Sequence, residues 1–347
     1  MNEVRDMIVG SVRRLCEQHC SFATVEAAEQ GQFPVEFWKH LSAAGILQVL
    51  VKEEDGGVGA SLADAAAALS VLGSFAAPGP ILETMVANLA RSAVGLTPVD
   101  EPQPLSLIET RGTQDSKVDG KDSLERASFV QWAQQAPSIL VARCSGGDTL
   151  VAEIASADGN LDRLDCLSDE PVYSVNFPTS AGDWVTSPKF DLFERLTAIL
   201  ALGRCAKSVG AMQWMLDSSL HHVNDRVQFG RPLAKFQAVQ QLLAEMAAEV
   251  AAADAICNGA CESADAADWS FVPAACARIG EAIDRSVAIA HQLHGAIGFS
   301  REHGLNFRTR RAMQWRAEGR ATGEWRKLLG ARFVGKTHSS LWESFVS

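Results

Sequence analysis

The strongest constraint on this chain is the apolar periodicity of its C-terminal part. Leu192, Leu196, Ile199, Leu200, Gly203, Val209 and Met215 trace one stripe, and Phe236, Val239, Leu242, Leu243, Met246 and Val250 trace a second. Both recur with the spacing of one helix face. Ala274 to Ile297 gives a third such segment, and Glu324 to Phe333 a fourth. Long amphipathic helices joined by short loops bury such stripes against one another, which predicts a helical bundle.

The first hundred residues repeat the pattern in shorter pieces. Pro34 opens a helix whose apolar face carries Val35, Phe37, Trp38, Leu41 and Ile46, and Gly45 closes it. The run Glu53-Glu54-Asp55-Gly56-Gly57-Val58-Gly59 is a loop that needs glycine's freedom. Ser61 caps an alanine-rich helix, Leu62 to Leu72. Ala77-Pro78-Gly79-Pro80 breaks the chain, and another helix follows from about Leu82 to Val94. From Thr97 to Ser187 the character changes, with frequent Pro, Gly, Asp and Ser. Short β-prone runs stand at Pro104–Glu109, Ser138–Arg143, Thr149–Ile154 and Pro171–Phe177, and Gly146-Gly147-Asp148 reads as a hairpin turn. From Phe190 the long helices resume. The expected fold class is mainly α with a small central β domain. Its parts would be an N-terminal helical domain over 1–96, a β domain over 97–187 and a C-terminal helical bundle over 188–347.

Composition narrows the function. With 347 residues, 47% of them hydrophobic, the chain has ample material for a core. A net charge of -11 and the absence of a basic run argue against nucleic acid as a partner. An anionic ligand needs a local concentration of positive charge, and Arg301 to Arg332 supplies one. The first twenty residues lack the apolar core of a signal peptide, and no run is long enough to span a membrane. The 8 cysteines are scattered. Cys16/Cys20 and Cys257/Cys261 sit four apart in helical patterns, with no His or second pair nearby to complete a ligand set, so no metal site is expected. Buried free thiols in a reducing cytoplasm are the expectation.

Three segments carry chemistry. Arg226-Val227-Gln228-Phe229-Gly230-Arg231-Pro232-Leu233 joins two long helices, and Phe236-Gln237 opens the second. An arginine, an amide and a glycine turn at a helix junction suit a phosphate; an ordinary connection with a solvated arginine explains the same residues. Gln292-Leu293-His294-Gly295-Ala296-Ile297-Gly298-Phe299 ends the third helix. Its glycines allow close approach of a ligand, or simply cap the helix, with His294 packed in the core. Trp315-Arg316-Ala317-Glu318-Gly319 precedes the last helix. A carboxylate beside an aromatic ring keeps basicity, and nearby arginines oppose that; a solvated ion pair is the plain alternative. On a continuous helix Arg316 and Arg320 lie two residues from Glu318 and face away from it.

Together these segments resemble the acyl-CoA dehydrogenase family. RVQFGRPLAKFQ (Arg226 to Gln237) and QLHGAIGF (Gln292 to Phe299) match family signatures almost position for position, with Ala296 where Gly is common. WKHLSAAGILQVLVKEEDGGVG looks like the family's first helical domain, and the helical, β, helical order agrees over nearly the whole chain. The resemblance implies FAD between the β domain and a four-helix bundle, reaching across a subunit interface. It places Arg226, Gln228, Phe229 and Gln237 on the pyrophosphate and adenosine side of a neighbouring subunit's FAD, and Gln292, Gly295 and Ala296 along that cofactor. It makes Glu318 the catalytic base, although counting back from Arg326 displaces it by one residue. A second family position for the base falls near Leu200, with Glu194 the nearest carboxylate in sequence. The family's threonine–glutamate–proline loop is absent, and Val118-Asp119-Gly120-Lys121 and Ala127-Ser128-Phe129-Val130 only echo the strands that follow it. The implied reaction is FAD-dependent α,β-desaturation of an acyl-CoA thioester, by a homo-oligomer or with a homologous partner chain. A non-catalytic FAD-binding partner subunit and a flavin-free scaffold are the alternatives, and a bulky ring-bearing acyl group suits a short member of this kind.

Overall fold

The computed structural model describes residues 3–109, 117–118, 121–122, 124–189, 191–332 and 334. Asp119, Gly120, Phe190 and Phe333, which figure in the expectations above, lie outside them. Five helices come first: α1 (Glu3–His19), α2 (Phe22–Glu29), α3 (Val35–Ala43), α4 (Leu62–Ser74) and α5 (Ile81–Ala93). The strands follow as β1 (Leu105–Glu109), β2 (Lys117–Val118), β3 (Lys121–Asp122), β4 (Leu124–Gln131), β5 (Ser138–Ser145), β6 (Asp148–Ala155), β7 (Asn160–Leu164), β8 (Val172–Pro178) and β9 (Val185–Thr186). The long helices are α6 (Leu192–Asp225), α7 (Gln237–Asp265) and α8 (Val272–His294), followed by α9 (Leu305–Ala317) and α10 (Thr322–Ala331). A short ribbon, β10 (Val227–Gln228) with β11 (Arg231–Pro232), joins α6 to α7. The chain is mainly helical with a small β region, as the periodicity predicts.

Among the described residues the β region has two larger sheets and the short antiparallel pair β2–β3. In the first, β1 runs parallel to β5, and β5, β6 and β9 are antiparallel neighbours. The second is the antiparallel set β4, β8, β7. Gly146 and Gly147 both have positive φ (63° and 94°) in the two-residue turn between β5 and β6, a conformation that glycine adopts without strain. Along β5 successive side chains alternate between two cores. Leu140 and Ala142 join the helical core, while Ile139 and Val141 pack with Val175 and Phe177 of β8 between the sheets. The apolar run Ile139 to Ala142 is therefore buried on both faces.

One core unites the N-terminal helices and the bundle. Its closest approach is between α4 and α6. A Cβ at Gly73 would lie 1.9 Å from the Lys207 carbonyl oxygen, and one at Gly210 would lie 1.7 Å from that of Ser70. Only glycine lets these backbones touch. That contact fixes the level at which Arg204 and Lys207 of α6 enter the interior.

Candidate active site

A cavity of about 460 Å³ lies between the sheets and the bundle. One wall is β1 with Arg126, Ser128 and Phe129 of β4; the other includes Leu200 and Arg204 of α6 and Ile279 and Gly280 of α8. Trp315, Glu318 and Trp325 complete it. The wall contributed by β4 depends on a register shift between Ala127 and Val130, where Phe129 takes a positive φ of 57°. Such a bulge interrupts the in–out alternation. Ser128 and Phe129 are both exposed, and Val130 and Gln131 are both buried.

Glu318 sits where α9 stops. Its ψ is 137° and Gly319 follows with φ 74°, so the chain leaves the helix at this point. This corrects the picture of a continuous helix through Glu318. Arg316 and Arg320 do stay away from it, for a different reason: Arg316 pairs with Asp284, and Arg320 lies over the Trp325 ring. The Glu318 carboxylate is buried beside Trp315. Gln131 Nε2 and Gln314 Nε2 each donate to its Oε1 at 3.2 Å, and Arg204 Nε donates to its Oε2 at 2.9 Å. The cation that reaches Glu318 therefore comes from α6, far away in sequence.

Arg204 has a second acidic partner. Its Nη2 lies 3.4 Å from Oε1 of Glu83, which stands on α5 and is 2% exposed. Burial pushes the Glu83 carboxyl above the usual carboxylate range, against the pull of Lys207 and Arg204. Among the described residues its Oε2 has no hydrogen-bond partner. Lys207 is also buried; its Nζ lies 4.4 Å from the Trp315 ring centroid, and burial lowers its pKa against the pull of Glu83, Glu170 and Glu318. Glu170 is held separately by the fully buried Arg311 at 2.9 Å. Removing one member of a buried pair of this kind costs about 3–5 kcal/mol, because a charge is left uncompensated.

The other two segments lie elsewhere. Cys205 on α6 faces Cys276 on α8 with sulfurs 3.8 Å apart, and Ser218 lies 3.2 Å from His294. The helices are therefore parallel, and both segments stand at the same end of the bundle. Arg226 follows Arg204 by 22 residues, roughly 33 Å along a helix rising 1.5 Å per residue. Arg226, Gln228, Phe229, Gln237, Gln292, Gly295 and Ala296 are all exposed, and none lines the cavity of its own chain. Phe229 is 87% exposed and holds a positive φ of 51°. Open space surrounds the α-carbons of Gly230 and Gly295. His294 is packed as expected of a core histidine, with Nδ1 2.8 Å from the Ala290 carbonyl oxygen and its ring stacked on His222.

Sequence reasoning missed Arg204, Glu83, Lys207, Gln131 and Gln314. A signal did exist for three of them. Glu83, Arg204 and Lys207 interrupt apolar helix patterns, and a charge within such a pattern is buried only when it is paired.

The comparisons with known proteins agree with this architecture. A family model described as acyl-CoA dehydrogenase, C-terminal domain, matches residues 193–321, and the corresponding N-terminal domain model matches residues 2–94. The chain is 27% identical over 319 residues to acyl-CoA dehydrogenase IpdE2 of Mycolicibacterium smegmatis, covering 90% of this chain and 93% of that protein. Among solved structures, the ChsE4–ChsE5 complex from Mycobacterium tuberculosis superposes with a TM-score of 0.84 at 21% identity, covering 97% of this chain and 99% of that one. The Tcur3481–Tcur3483 steroid ACAD gives 0.84 at 20% identity, with 95% and 98% covered. Butyryl-CoA dehydrogenase from Megasphaera elsdenii gives 0.80 at 17% identity, with 96% and 99% covered.

Proposed function

The chain belongs to the acyl-CoA dehydrogenase family, and from that premise we propose that it removes the α-proton and β-hydride of an acyl-CoA thioester, with Glu318 as the base. The observation that carries the reading is the buried Glu318 carboxylate in the wall of a cavity of about 460 Å³. That volume is within the range that holds a drug-sized ligand, about 300–1,000 Å³. A base must come within hydrogen-bonding reach of the carbon it deprotonates, and Glu318 is presented there by a chain turn. Oε1 already accepts two amide hydrogens, whereas Oε2 accepts one from Arg204. The α-proton therefore goes to the remaining lone pair of Oε2. Trp315 and Phe129 line the same space.

FAD, when bound, supplies the acceptor for the β-hydrogen leaving as hydride. The donor sets fit it. β1 and β4 offer a wall that would take a flat ring, and Arg226 would supply charge compensation for a pyrophosphate. Because Arg226, Gln228, Phe229, Gln237, Gln292, Gly295 and Ala296 stand at the far end of the bundle, they serve the cofactor of another subunit. That subunit is a second copy or a homologous chain, the latter supported by the two-chain naming of ChsE4–ChsE5. A ring-bearing acyl group is the favoured substrate, by analogy with the steroid ACAD of similar fold. The scattered cysteines of the sequence suit a reducing cytoplasm. The test is anaerobic addition of ring-bearing and straight-chain acyl-CoAs to the purified chain, alone and with a homologous partner. Bleaching of the flavin's visible absorbance by wild type and not by Glu318→Gln supports the reading. Equal bleaching by both would remove Glu318 from the mechanism.

A further inference from the structure

Arg204 is shared between two buried carboxylates, and only one of them faces the cavity. Its Nε holds Glu318 at 2.9 Å and its Nη2 reaches Glu83 at 3.4 Å. Glu318 lines the cavity; Glu83 does not. Around this point the half-buried Arg204 and the buried Lys207 face the buried Glu83 and Glu318. A proton arriving on Glu318 removes one of Arg204's two carboxyl partners as an anion and leaves Glu83 as the other.

A guanidinium that is 15% exposed and has lost its only counter-ion would make that protonation unfavourable. Glu83 prevents this. It lies beside Arg204 independently of the cavity-facing carboxylate, with its Oε1 3.4 Å from Nη2. We propose that Glu83 is a positioning residue for the base: it retains Arg204 as Glu318 takes up the α-proton, and so keeps Glu318 able to accept it.

The surroundings leave this role to Glu83. From α6, Lys207 lies over Trp315 and is attracted to both acids. On the two sides of Glu318 in sequence, Arg316 is bound by Asp284, and Arg320 lies on Trp325. From β4 and α9, Gln131 and Gln314 are neutral donors. The next acid, Glu170, is tied to Arg311. Across the cavity, Arg126 donates to Ser174, and Glu109 lies at the far end of β1. Burial favours the neutral form of Glu83, which limits how much of Arg204's charge it offsets; raising the pH strengthens its hold.

The inference rests on Glu318 as the base, and two readouts separate the two ideas. The first does not need turnover. The full chain carrying its flavin is labelled with carboxyl-13C glutamate, and the Glu318 signal is identified by its loss in Glu318→Gln. In Glu83→Gln, Arg204 turns wholly to Glu318, and the Glu318 titration moves down by at least about one pH unit. In Arg204→Gln it moves up. The second readout is the acid limb of acyl-CoA-dependent flavin bleaching. Glu83→Gln shifts it in the same direction and lowers the plateau rate about tenfold, with acyl-CoA affinity unchanged; Glu83→Asp restores part of both. A Glu318 titration that stays put in Glu83→Gln overturns the proposal. So does a lower plateau with no shift of the limb, which is what a purely structural defect gives. If Glu83→Gln does not fold, Glu83→Asp and Arg204→Gln still decide it through the opposed directions of their shifts. A titration that shifts without any effect on bleaching instead defeats the assignment of Glu318 as base.

Discussion

The cavity around Glu318 and the exposed end around Arg226 satisfy their polar groups in opposite ways. At the cavity, Arg204, Gln131 and Gln314 converge on one carboxylate from three elements. At the exposed end, Arg226, Gln228 and Gln292 face solvent, and Phe229 projects with 87% of its surface exposed. The first arrangement is complete within one chain. The second leaves its polar groups to solvent within one chain. The lesson is that the segments most recognisable as sequence are the least self-sufficient as structure.

The largest expected effect tests the cavity. Glu318→Gln keeps the shape and removes the proton acceptor, so flavin bleaching by acyl-CoA falls about 10²–10⁴-fold while flavin content is retained. Rapid-mixing absorbance measurements check it, and a loss of flavin in this variant would erase the distinction between the two regions. The next concerns the contact that sets the cavity's wall. Gly210→Ala places a Cβ against the Ser70 carbonyl and forces α4 from α6, so stability to urea falls by at least about 1–3 kcal/mol. An unchanged midpoint would mean that the α4–α6 contact relaxes freely.

Arg226→Ala turns to the exposed end. Loss of one charge-assisted contact weakens FAD at least about tenfold, measured by flavin retained on gel filtration, with the unfolding midpoint of the flavin-free chain unmoved. A fall in the stability of the flavin-free chain would show that this end is not independent of its own fold.

The smallest effect is in pH dependence, and it has opposite signs in the two regions. His222, His294 and His303 cluster near the exposed end, and burial lowers all three, aided for His222 and His303 by repulsion from His294. The unfolded chain then binds more protons, so their contribution is intact above the ordinary histidine value near 6.5 and is lost as pH falls through it toward the lowered native values. Glu83 is raised, so its contribution is complete below its ordinary value of 4.5 and is lost as pH rises through its native value. Thermal melts between pH 4.5 and 8 should show the acid-side loss reduced in His222→Gln and the rise toward low pH reduced in Glu83→Gln. Identical profiles for the two variants would break the comparison.

Much of the fold was legible in sequence. The stripes from Leu192 to Val250 and the β-prone runs near Leu105, Ile139, Val151 and Tyr173 each became an element of the expected type. They were readable because burial of one face, or of alternate residues, is a local periodic demand. The position of Glu318 before the last helix was legible, as were those of the Arg226 and Gln292 segments at helix ends.

What the sequence could not carry was convergence. Glu83, Gln131, Arg204 and Glu318 are separated by tens of residues, and the contact between Gln131 and Glu318 spans 187 positions. Their meeting depends on the backbone contact at Gly73 and Gly210, on the bulge at Phe129 and on the turn at Gly319. None of these leaves a periodic trace. Periodicity reports which face of an element is buried; which charges share that burial, and therefore what a carboxylate can do there, is decided only when the elements pack.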